Sequence, residues 1–466
     1  MRLKHLTTLA SALALAACTV GPNYAPPATP AAAAGRFVAA NSPAVQPLAP
    51  VEGNWWRLYD DPVLDGLVAD ALAANTDIRV AVARLAKARA ALREVKVDRL
   101  PDVGASGAAS YGRAAEGQQL PGQSRTDSSF DIGLDFAYEV DLFGRVRRNV
   151  EAARGDVIAA GADADTVRVA IAAETARAYA DAASAAERLA VATQIVALLD
   201  QSLKVTTRRV EVGLTTRLDT ARIAALRHQR QAEIPAIAAE RDSALFRLAM
   251  LTGRAPADLP PAAGARDIAL ALSRPIPVGD GAQLLARRPD VRAAERRLAA
   301  ATARIGVATA DLYPRVSLGG SVGSTAGGVG GLFGGPLAWL LGPLINWSFS
   351  DHAQARARVA GAEAGAQEAL ATFDGTVLRS LQETETALSA YAHSLQRREA
   401  LRAARDEAAV AVRITRAQQR EGQVDSLVLL DAERTYAEQE AELTAMNGRV
   451  VANQIDLFRA LGGGWG

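Results

Sequence analysis

Apolar and polar residues alternate without a break from Phe130 to Leu142. All seven even-numbered positions in this stretch are apolar. A period of two predicts a β-strand with one apolar face. The opposite face is acidic, because carboxylates occupy four of the positions between: Asp131, Asp135, Glu139 and Asp141. We therefore expect a long strand, at about 129–142, whose two faces meet different solvents.

Three more segments have strand character, at about 103–111, 316–324 and 339–349. Their length and alternation suit transmembrane strands, which need about 9–11 residues. Four strands cannot close a barrel, and lipid does not tolerate open strand edges. Strands from several copies would have to close one barrel, and a trimer with twelve strands around a water-filled lumen is the natural solution. The acidic face would line that lumen. The alternative is a half-buried strand in a soluble β-sandwich.

Most of the remaining chain predicts helix, in the same order in two halves. In the first half we predict a first helix at about 61–98, a very long helix after the strands at about 147–212, and a return helix that ends near Gly253. In the second half the corresponding helices lie at about 280–310 and 353–421, and the return helix ends near Gly462. About 60 residues of helix span on the order of 90 Å, more than a compact domain uses. Between Val191 and Val212 the apolar positions follow the spacing of a coiled-coil seam, and packed helical hairpins are the simpler interpretation.

The two halves are an internal repeat. Asp77 and Asp290 lie 213 positions apart in matching segments, whereas Gly213 and Gly422 lie 209 apart. Matching segments at two nearly equal offsets indicate a repeated architecture. The organisation we predict is a signal peptide at 1–17, a Pro/Ala-rich tether at 18–50, a first repeat at 51–260, a linker at 261–274 and a second repeat at 275–466. The tether is not expected to fold by itself.

The N-terminus carries a secretory signal. A short basic segment precedes an apolar stretch from Leu6 to Ala16, and the sequence LAAC ends at Cys18. A cysteine at this cleavage site resembles the bacterial lipobox. The resemblance implies removal of residues 1–17 and attachment of N-acyl and S-diacylglycerol chains, palmitate among them, to Cys18; an ordinary signal peptide is the alternative. Thr19 resembles the residue found in lipoproteins sorted to the outer membrane.

Composition excludes several classes of protein. The 466 residues carry a net charge of only +1, which argues against a dedicated nucleic-acid binder. With a single cysteine, no internal disulfide can form. We find no run of about 18 apolar residues after the signal, so we expect any membrane crossing to use strands.

No enzyme class finds support in the chain, and we expect no cofactor and no metal site. The histidines outside the signal, His228, His352 and His393, lack ligand spacing. The glycine-rich run from Gly327 to Gly335 is not followed by the Lys-Ser/Thr of a phosphate-binding loop. His352 would suit a pH switch, but a solvated histidine at a strand-to-helix junction is the simpler interpretation.

Several blocks resemble one known family, the outer-membrane factors of tripartite efflux pumps, and within it the TolC-like NodT/OprM lipoprotein subgroup. The blocks cover most of the chain after the signal: CTVGPNYAPP from Cys18, NWWRLYDDPVLDGLVADAL from Asn54, YEVDLFGRVRR from Tyr138, LLARRPDVRAAERRLAAATARIGVATADLYPRVSL from Leu284, SLVLLDAERTYAEQE from Ser426 and LFRALGGGW from Leu457. The block at Leu284 is the most specific. One departure is the junction after the fourth strand, INWSFSDHAQARAR, which differs from the family's usual sequence.

The resemblance implies a mainly α fold with membrane β-structure. Long helical hairpins would form a trimeric α-barrel in the periplasm, and four strands per protomer would enter a twelve-stranded β-barrel in the outer membrane. It further implies a homotrimer that binds a periplasmic adaptor (a membrane fusion protein) and, through it, an inner-membrane RND transporter. The protein would be a passive, gated channel that exports drugs or other small solutes and contributes to multidrug resistance.

The resemblance also places a gate at the periplasmic hairpin tips. Leu427 and Asp431 would be the constriction residues, one helical turn apart. At equivalent places in the first half stand Leu218 and Arg222, and we hypothesise that Arg222 or Arg217 holds the closed tip by pairing with nearby carboxylates. The alternative is an exposed ion pair worth under about 1 kcal/mol. Adaptor contact would fall on the turn residues: Gly213, Leu214, Thr215, Gly422, Gln423 and Val424.

Two other functions fit parts of the pattern. A type I protein-secretion channel would use the same scaffold, but the lipobox and the RRPDVRAAE block favour efflux. A non-channel lipoprotein that scaffolds the cell envelope through coiled coils would form neither a trimer nor a pore.

Overall fold

The structure is a computed structural model that describes residues 19–28, 30–49, 53–113, 115, 126–272, 274–331, 337–347 and 351–463. The predicted signal peptide and the lipidation residue Cys18 lie outside the described residues.

Long helices dominate the described chain. In chain order the elements are α1 (Ala31–Ala34), β1 (Val45–Pro47), α2 (Pro62–Ala74), α3 (Thr76–Val97), β2 (Asp102–Arg113), β3 (Thr126–Val140), α4 (Arg145–Glu211), α5 (Arg217–Leu251), β4 (Ile276–Gly279), α6 (Gly281–Arg287), α7 (Pro289–Ala310), β5 (Arg315–Ala326), β6 (Leu337–Asn346), α8 (His352–Arg420) and α9 (Ser426–Ala460). Both halves therefore follow the predicted order, with a very long helix and a return helix after each pair of strands.

The first helix of each half is broken in two, which the sequence prediction missed. In the first half the break lies at Asn75, where an extended backbone ends α2 and the side chain accepts a hydrogen bond from the amide of Asp77. In the second half it lies at Arg288, which is extended and precedes Pro289 at the start of α7. Proline disfavours helix in the residue before it, so this second break has a signal in the sequence.

The strands form an antiparallel sheet in the order β2-β3-β5-β6. Their bounds lie within a few residues of the predicted ones, although Phe349 at the predicted end of the fourth lies outside the described residues. In the register, Leu134 of β3 lies opposite Ala105 of β2 on one side and Val322 of β5 on the other. The prediction was wrong about Asp141, because β3 ends at Val140.

The two faces of this sheet differ as the alternation predicts. Directly opposed residues share a face, so Asp135 stands beside Gly104 and Ser321 on a face of small, hydroxyl and acidic side chains. The other face carries Phe136 and the apolar side chains in line with it. Strand β6 is an exception, because Leu340 and Leu344 extend apolar surface onto the polar face.

The chain divides into two compact units, and each takes segments from both halves. Of the described residues, unit 1 takes those within 19–27, 84–161 and 293–374 and contains the four-stranded sheet; unit 2 takes those within 28–83, 162–292 and 375–463. Unit 2 has a continuous apolar core, in which Trp55 stacks on Phe458 with ring centroids 4.7 Å apart.

The predicted tether is more ordered than its composition suggests. Strand β1 pairs in parallel with β4, and Phe37 and Val45 are buried in the core of unit 2. Residues 19–24 pack within unit 1 in the same way, as described below. The segment is ordered because it packs against residues that are distant in the sequence. The composition of the segment alone does not reveal these contacts.

Helix α4 meets a simple test for membrane spans by length and composition. A core helix meets the same test, and 44% of its most apolar window is buried. The predicted seam on this helix holds at Ile195 but shifts afterwards: Leu199 and Thr206 are buried, whereas Val205 is exposed. The seam drifts because an α-helix has 3.6 rather than 3.5 residues per turn.

Candidate functional site

Two matching turns connect the long helices at the predicted tips. Gly213 follows α4 and Gly422 follows α8, with φ of 76° and 72°. These left-handed values favour glycine, and no Cβ contact restricts either position. The next amide closes each turn: Leu214 N–H donates to Arg209 O, and Gln423 N–H donates to Gln418 O. This is a common way to end a helix, so both turns are encoded locally.

Each return helix begins with a side-chain cap. In the first turn the carboxylate of Asp219 accepts hydrogen bonds from the hydroxyls of Thr215 (2.6 Å) and Thr216 (2.9 Å) and from the amide of Thr216. These hydrogen bonds lower the pKa of Asp219, with that from Thr215 contributing most. At the second turn Asp425 caps α9 by accepting from the amide of Leu427 at 2.9 Å. Side-chain and backbone hydrogen bonds therefore close both tips.

Leu427 and Asp431 lie on the first turns of α9, immediately after the second tip. The Leu427 side chain is exposed, as is that of Asp431. Asp431 pairs with Arg434 of the same helix, with an N–O distance of 2.9 Å. The sequence analysis did not name Arg434, although its i,i+3 spacing on a helix is the signal for such a pair.

The first-half residues proposed as gate partners are also exposed. Arg217, Leu218 and Arg222 lie on the first turns of α5. Within the described residues neither arginine forms an ion pair, so a single chain does not bring them to Asp431. The charge of Arg222 contributes to the lowered pKa of Asp219.

A buried carboxylate behind the second tip was missed by the sequence analysis. Glu433 is 7% exposed and accepts hydrogen bonds from the hydroxyl of Ser202 (2.8 Å) and the guanidinium of Arg416 (2.9 Å). It thereby joins α9 to both α4 and α8. An acidic residue on the apolar side of a helix is its only sequence signal, and its partners lie 231 and 17 positions away.

Two of the predicted lumen carboxylates are held by hydroxyl groups. Asp131 accepts hydrogen bonds from Thr325 (2.6 Å) and Ser129 (3.0 Å). Asp135 accepts one from Ser106 at 3.2 Å. No ion pair to either carboxylate is found in the described part of the chain. On the polar face of the sheet, neither carboxylate is therefore neutralised by an ion pair with a described residue.

The other two carboxylates have different partners. Glu139 forms a two-point ion pair with Arg145, with N–O distances of 2.8 and 2.6 Å. Asp141 follows the strand and caps α4, because it accepts hydrogen bonds from the backbone amides of Val146 and Arg147. Only part of the predicted acidic stripe therefore carries an unpaired charge.

The residues that follow Cys18 are fixed against this strand-to-helix junction. Val20 N–H donates to Phe143 O at 3.1 Å. The buried guanidinium of Arg148 donates to the side-chain carbonyl of Asn23 at 2.7 Å and to two backbone carbonyls of the segment. Gly21 lies against Gly306 so closely that a Cβ would come within 2.5 Å of the Gly306 Cα.

Among the described residues, no group of three or more His, Cys, Asp and Glu side chains could hold a metal ion. His352 begins α8 and is exposed, and no contact in the described residues gives it a switching role.

Comparison with known proteins decides the family. A family model described as "Outer membrane efflux protein" matches residues 67–254 and again 281–463. The chain belongs to the outer membrane efflux protein family. It is 33% identical to outer membrane protein OprJ of Pseudomonas aeruginosa, over 99% of this chain and 96% of that protein. It is 30% identical to nodulation protein T of Rhizobium leguminosarum bv. trifolii, over 99% and 97%.

A solved structure of the outer-membrane channel OprN has 38% identity and a TM-score of 0.90, over 96% of this chain and 100% of that one. This family membership confirms the predicted TolC-like fold with its internal repeat. The chain is an outer-membrane efflux channel protein with periplasmic helices, and it is not an enzyme. The secretion-channel and scaffold alternatives have no comparable support.

Proposed function

We propose that this efflux channel protein works as a homotrimer, as the passive outer-membrane duct of a tripartite system. One observation carries the proposal. The sheet has an apolar face, a polar face and two edge strands, β2 and β6, each of which pairs with only one other strand among the described residues and leaves its outer edge open. Lipid does not tolerate such edges. The strands run alternately up and down, so the β6 edge of one copy can pair antiparallel with the β2 edge of the next and close a barrel.

The polar face would line the duct. Asp131 and Asp135 stay unpaired on this face, whereas exposed Ile, Leu and Trp side chains on the other suit lipid. Drugs or other small solutes would pass from the periplasm to the exterior through this lumen. The inner-membrane RND transporter, coupled through the adaptor, would supply the energy for export.

The hairpin tips would form the gate. In a trimer, Leu427 would contribute a ring of three apolar side chains and Asp431 a ring of three carboxylates. The unpaired guanidiniums of Arg217 and Arg222 would bind carboxylates of the next subunit and hold the ring closed. The two glycine turns, from Gly213 to Thr215 and from Gly422 to Val424, would contact the adaptor.

A lipid anchor at Cys18 would hold the protein to the membrane. The hydrogen bond from Val20 to Phe143 places the segment after Cys18 at the junction between β3 and α4. This junction is where the sheet ends, so acyl chains on Cys18 would enter the periplasm-facing leaflet beside the barrel.

The oligomeric state tests this proposal. Light scattering with the detergent contribution subtracted should give the mass of three chains. A variant with Trp339→Ser and Leu341→Ser on the apolar face of β6 should reach the membrane as a trimer less often. A stable monomer in the wild-type preparation would contradict the barrel, since one chain cannot satisfy its own edges.

A further inference from the structure

A cavity of about 470 Å³ lies behind the second hairpin tip, between α4, α8 and α9 of unit 2. This volume is within the range of small-molecule sites, about 300–1,000 Å³. Its apolar floor is formed by six side chains: Ile195, Leu198, Leu199, Val412, Tyr436 and Ala437. Such a floor favours a ligand with an apolar body.

Three arginines of α8 line the same cavity from one face of the helix. They are Arg413, Arg416 and Arg420, which are three and four positions apart along the helix. Only one carboxylate, that of Glu433, lines the cavity, and Arg416 already neutralises it at 2.9 Å. Within the described residues, Arg413 and Arg420 have no ion-pair partner. The lining is therefore apolar with an excess of positive charge.

We propose that this cavity binds an amphipathic organic anion: a compact apolar body that carries one carboxylate, sulfonate or phosphate group. The apolar body would remove the floor from water, which is the main favourable contribution to binding in such sites. The anionic group would accept charge-assisted hydrogen bonds from Arg413 and Arg420. Arginine suits this role because its planar guanidinium is weakly hydrated and presents paired donors.

A ligand in this position would also affect the gate, an effect that rests on the proposed function. It would contact α4, α8 and α9 together, and α9 carries Leu427 and Asp431 on the preceding turns. A ligand that binds one arrangement of these helices stabilises that arrangement in proportion to its occupancy. The bound anion should therefore favour the tip arrangement of this structure and change the fraction of time that the channel is open.

Direct binding tests the site without any need for channel activity. The probe is 1-naphthalenesulfonate, titrated by calorimetry into the protein in lipid nanodiscs, with empty nanodiscs subtracted. We expect one site per chain and an affinity at least tenfold lower in Arg413→Gln/Arg420→Gln, which corresponds to about 1.4 kcal/mol. The matched control is Arg397→Gln/Arg402→Gln, two exposed arginines that come earlier in the same helix and do not line the cavity, and it should bind like the wild type.

A second variant covers the case in which the arginine substitutions disturb folding. Ala437→Phe fills the floor with a larger apolar side chain and keeps every charge, and it should also lose the probe. No binding by the wild-type protein above empty nanodiscs, or equal affinity in both arginine pairs, would overturn the site. Specific binding that leaves the conductance unchanged would overturn the coupling to the gate. If the protein forms no conducting channel at all, the proposed function fails, but the binding result is unaffected.

Discussion

The side-chain amide of Asn75 donates a hydrogen bond of 3.0 Å to the backbone carbonyl of Leu251. In the second half Arg288 donates one of 2.9 Å to the carbonyl of Ala460. Asn75 and Arg288 lie 213 positions apart, and Leu251 and Ala460 lie 209 apart, which are the two offsets of the internal repeat. Each half thus ties the break in its first helix to the end of its return helix, with different side-chain chemistry.

Replacing Asn75 with alanine should destabilise unit 2. The substitution removes the hydrogen bond to the Leu251 carbonyl and the cap on the amide of Asp77, both of them buried or half-buried. A lost cap and an unsatisfied buried carbonyl together should lower the free energy of unfolding by about 1–3 kcal/mol, measured by thermal unfolding. Asn41→Ala is the control, because Asn41 donates a similar bond to Val38 from an exposed position. Equal losses in both variants would contradict the account.

Glu433 should matter far more than an exposed carboxylate on the same helix. Glu433→Ala removes the acceptor for Ser202 and Arg416, and Arg416 is only partly exposed. Because solvent screens the partly exposed Arg416, we expect the free energy of unfolding in urea to fall by only about 1–3 kcal/mol.

The control for Glu433 is Glu438→Ala, about one turn further along α9. Glu438 pairs with Arg230 at 3.2 Å and is 47% exposed. This substitution should lower the free energy of unfolding by less than about 1 kcal/mol. A double-mutant cycle with Arg416→Met should show coupling to Glu433, and additive effects would refute the linkage between α8 and α9.

The first hairpin tip should loosen in acid. Hydrogen bonds, that from Thr215 foremost, hold the pKa of Asp219 below its ordinary value in the folded chain. The contribution of Asp219 is therefore present above its unfolded pKa and is lost as the pH falls through the folded value. Hydrogen exchange at 213–217, corrected for intrinsic rates, should speed up relative to the helices below about pH 4.

Asp219→Asn provides the check on this titration. It should exchange quickly at neutral pH already, and acid should add little to it. Asp242→Asn, at an exposed position of the same helix, should behave like the wild type. If the tip of Asp219→Asn still loosened in acid by the wild-type amount, another group would be responsible.

The unpaired carboxylates on the sheet should give the pore a mild preference for cations. Asp131→Asn/Asp135→Asn removes two charges that only hydroxyl groups contact, so the reversal potential in a KCl gradient should move towards zero. Thr325→Val changes a partner of Asp131 without changing charge and should leave the potential nearly as it is. A wild-type pore that prefers anions would refute the assignment of this face to the lumen.

Local rules predicted most of the elements. Alternation gave the strands, and Gly213 and Gly422 marked the tips because a left-handed helix end favours glycine. The errors arose where the partner is distant or the signal is ambiguous. The alternation continues through Leu142, so it does not mark the end of strand β3. It therefore could not show that Asp141 lies after the strand, at the start of α4.

The site was predictable only in part. Leu427 and Asp431 came from a resemblance, and nothing in their spacing distinguishes them from other exposed helix residues. Glu433 could not be found in this way, because its importance comes from Ser202 on another helix. The order of residues 19–24 likewise depends on Arg148, more than a hundred positions away.

Single-channel conductance in a planar bilayer tests the gated duct most directly. Wild-type protein and Leu427→Ala/Asp431→Ala would be compared at equal amounts of inserted protein, with Asp242→Asn as a control. The account predicts that wild type and control are nearly closed and that the double variant conducts steadily. A double variant as closed as the wild type, despite confirmed insertion as a trimer, would contradict the assignment of the gate to these residues.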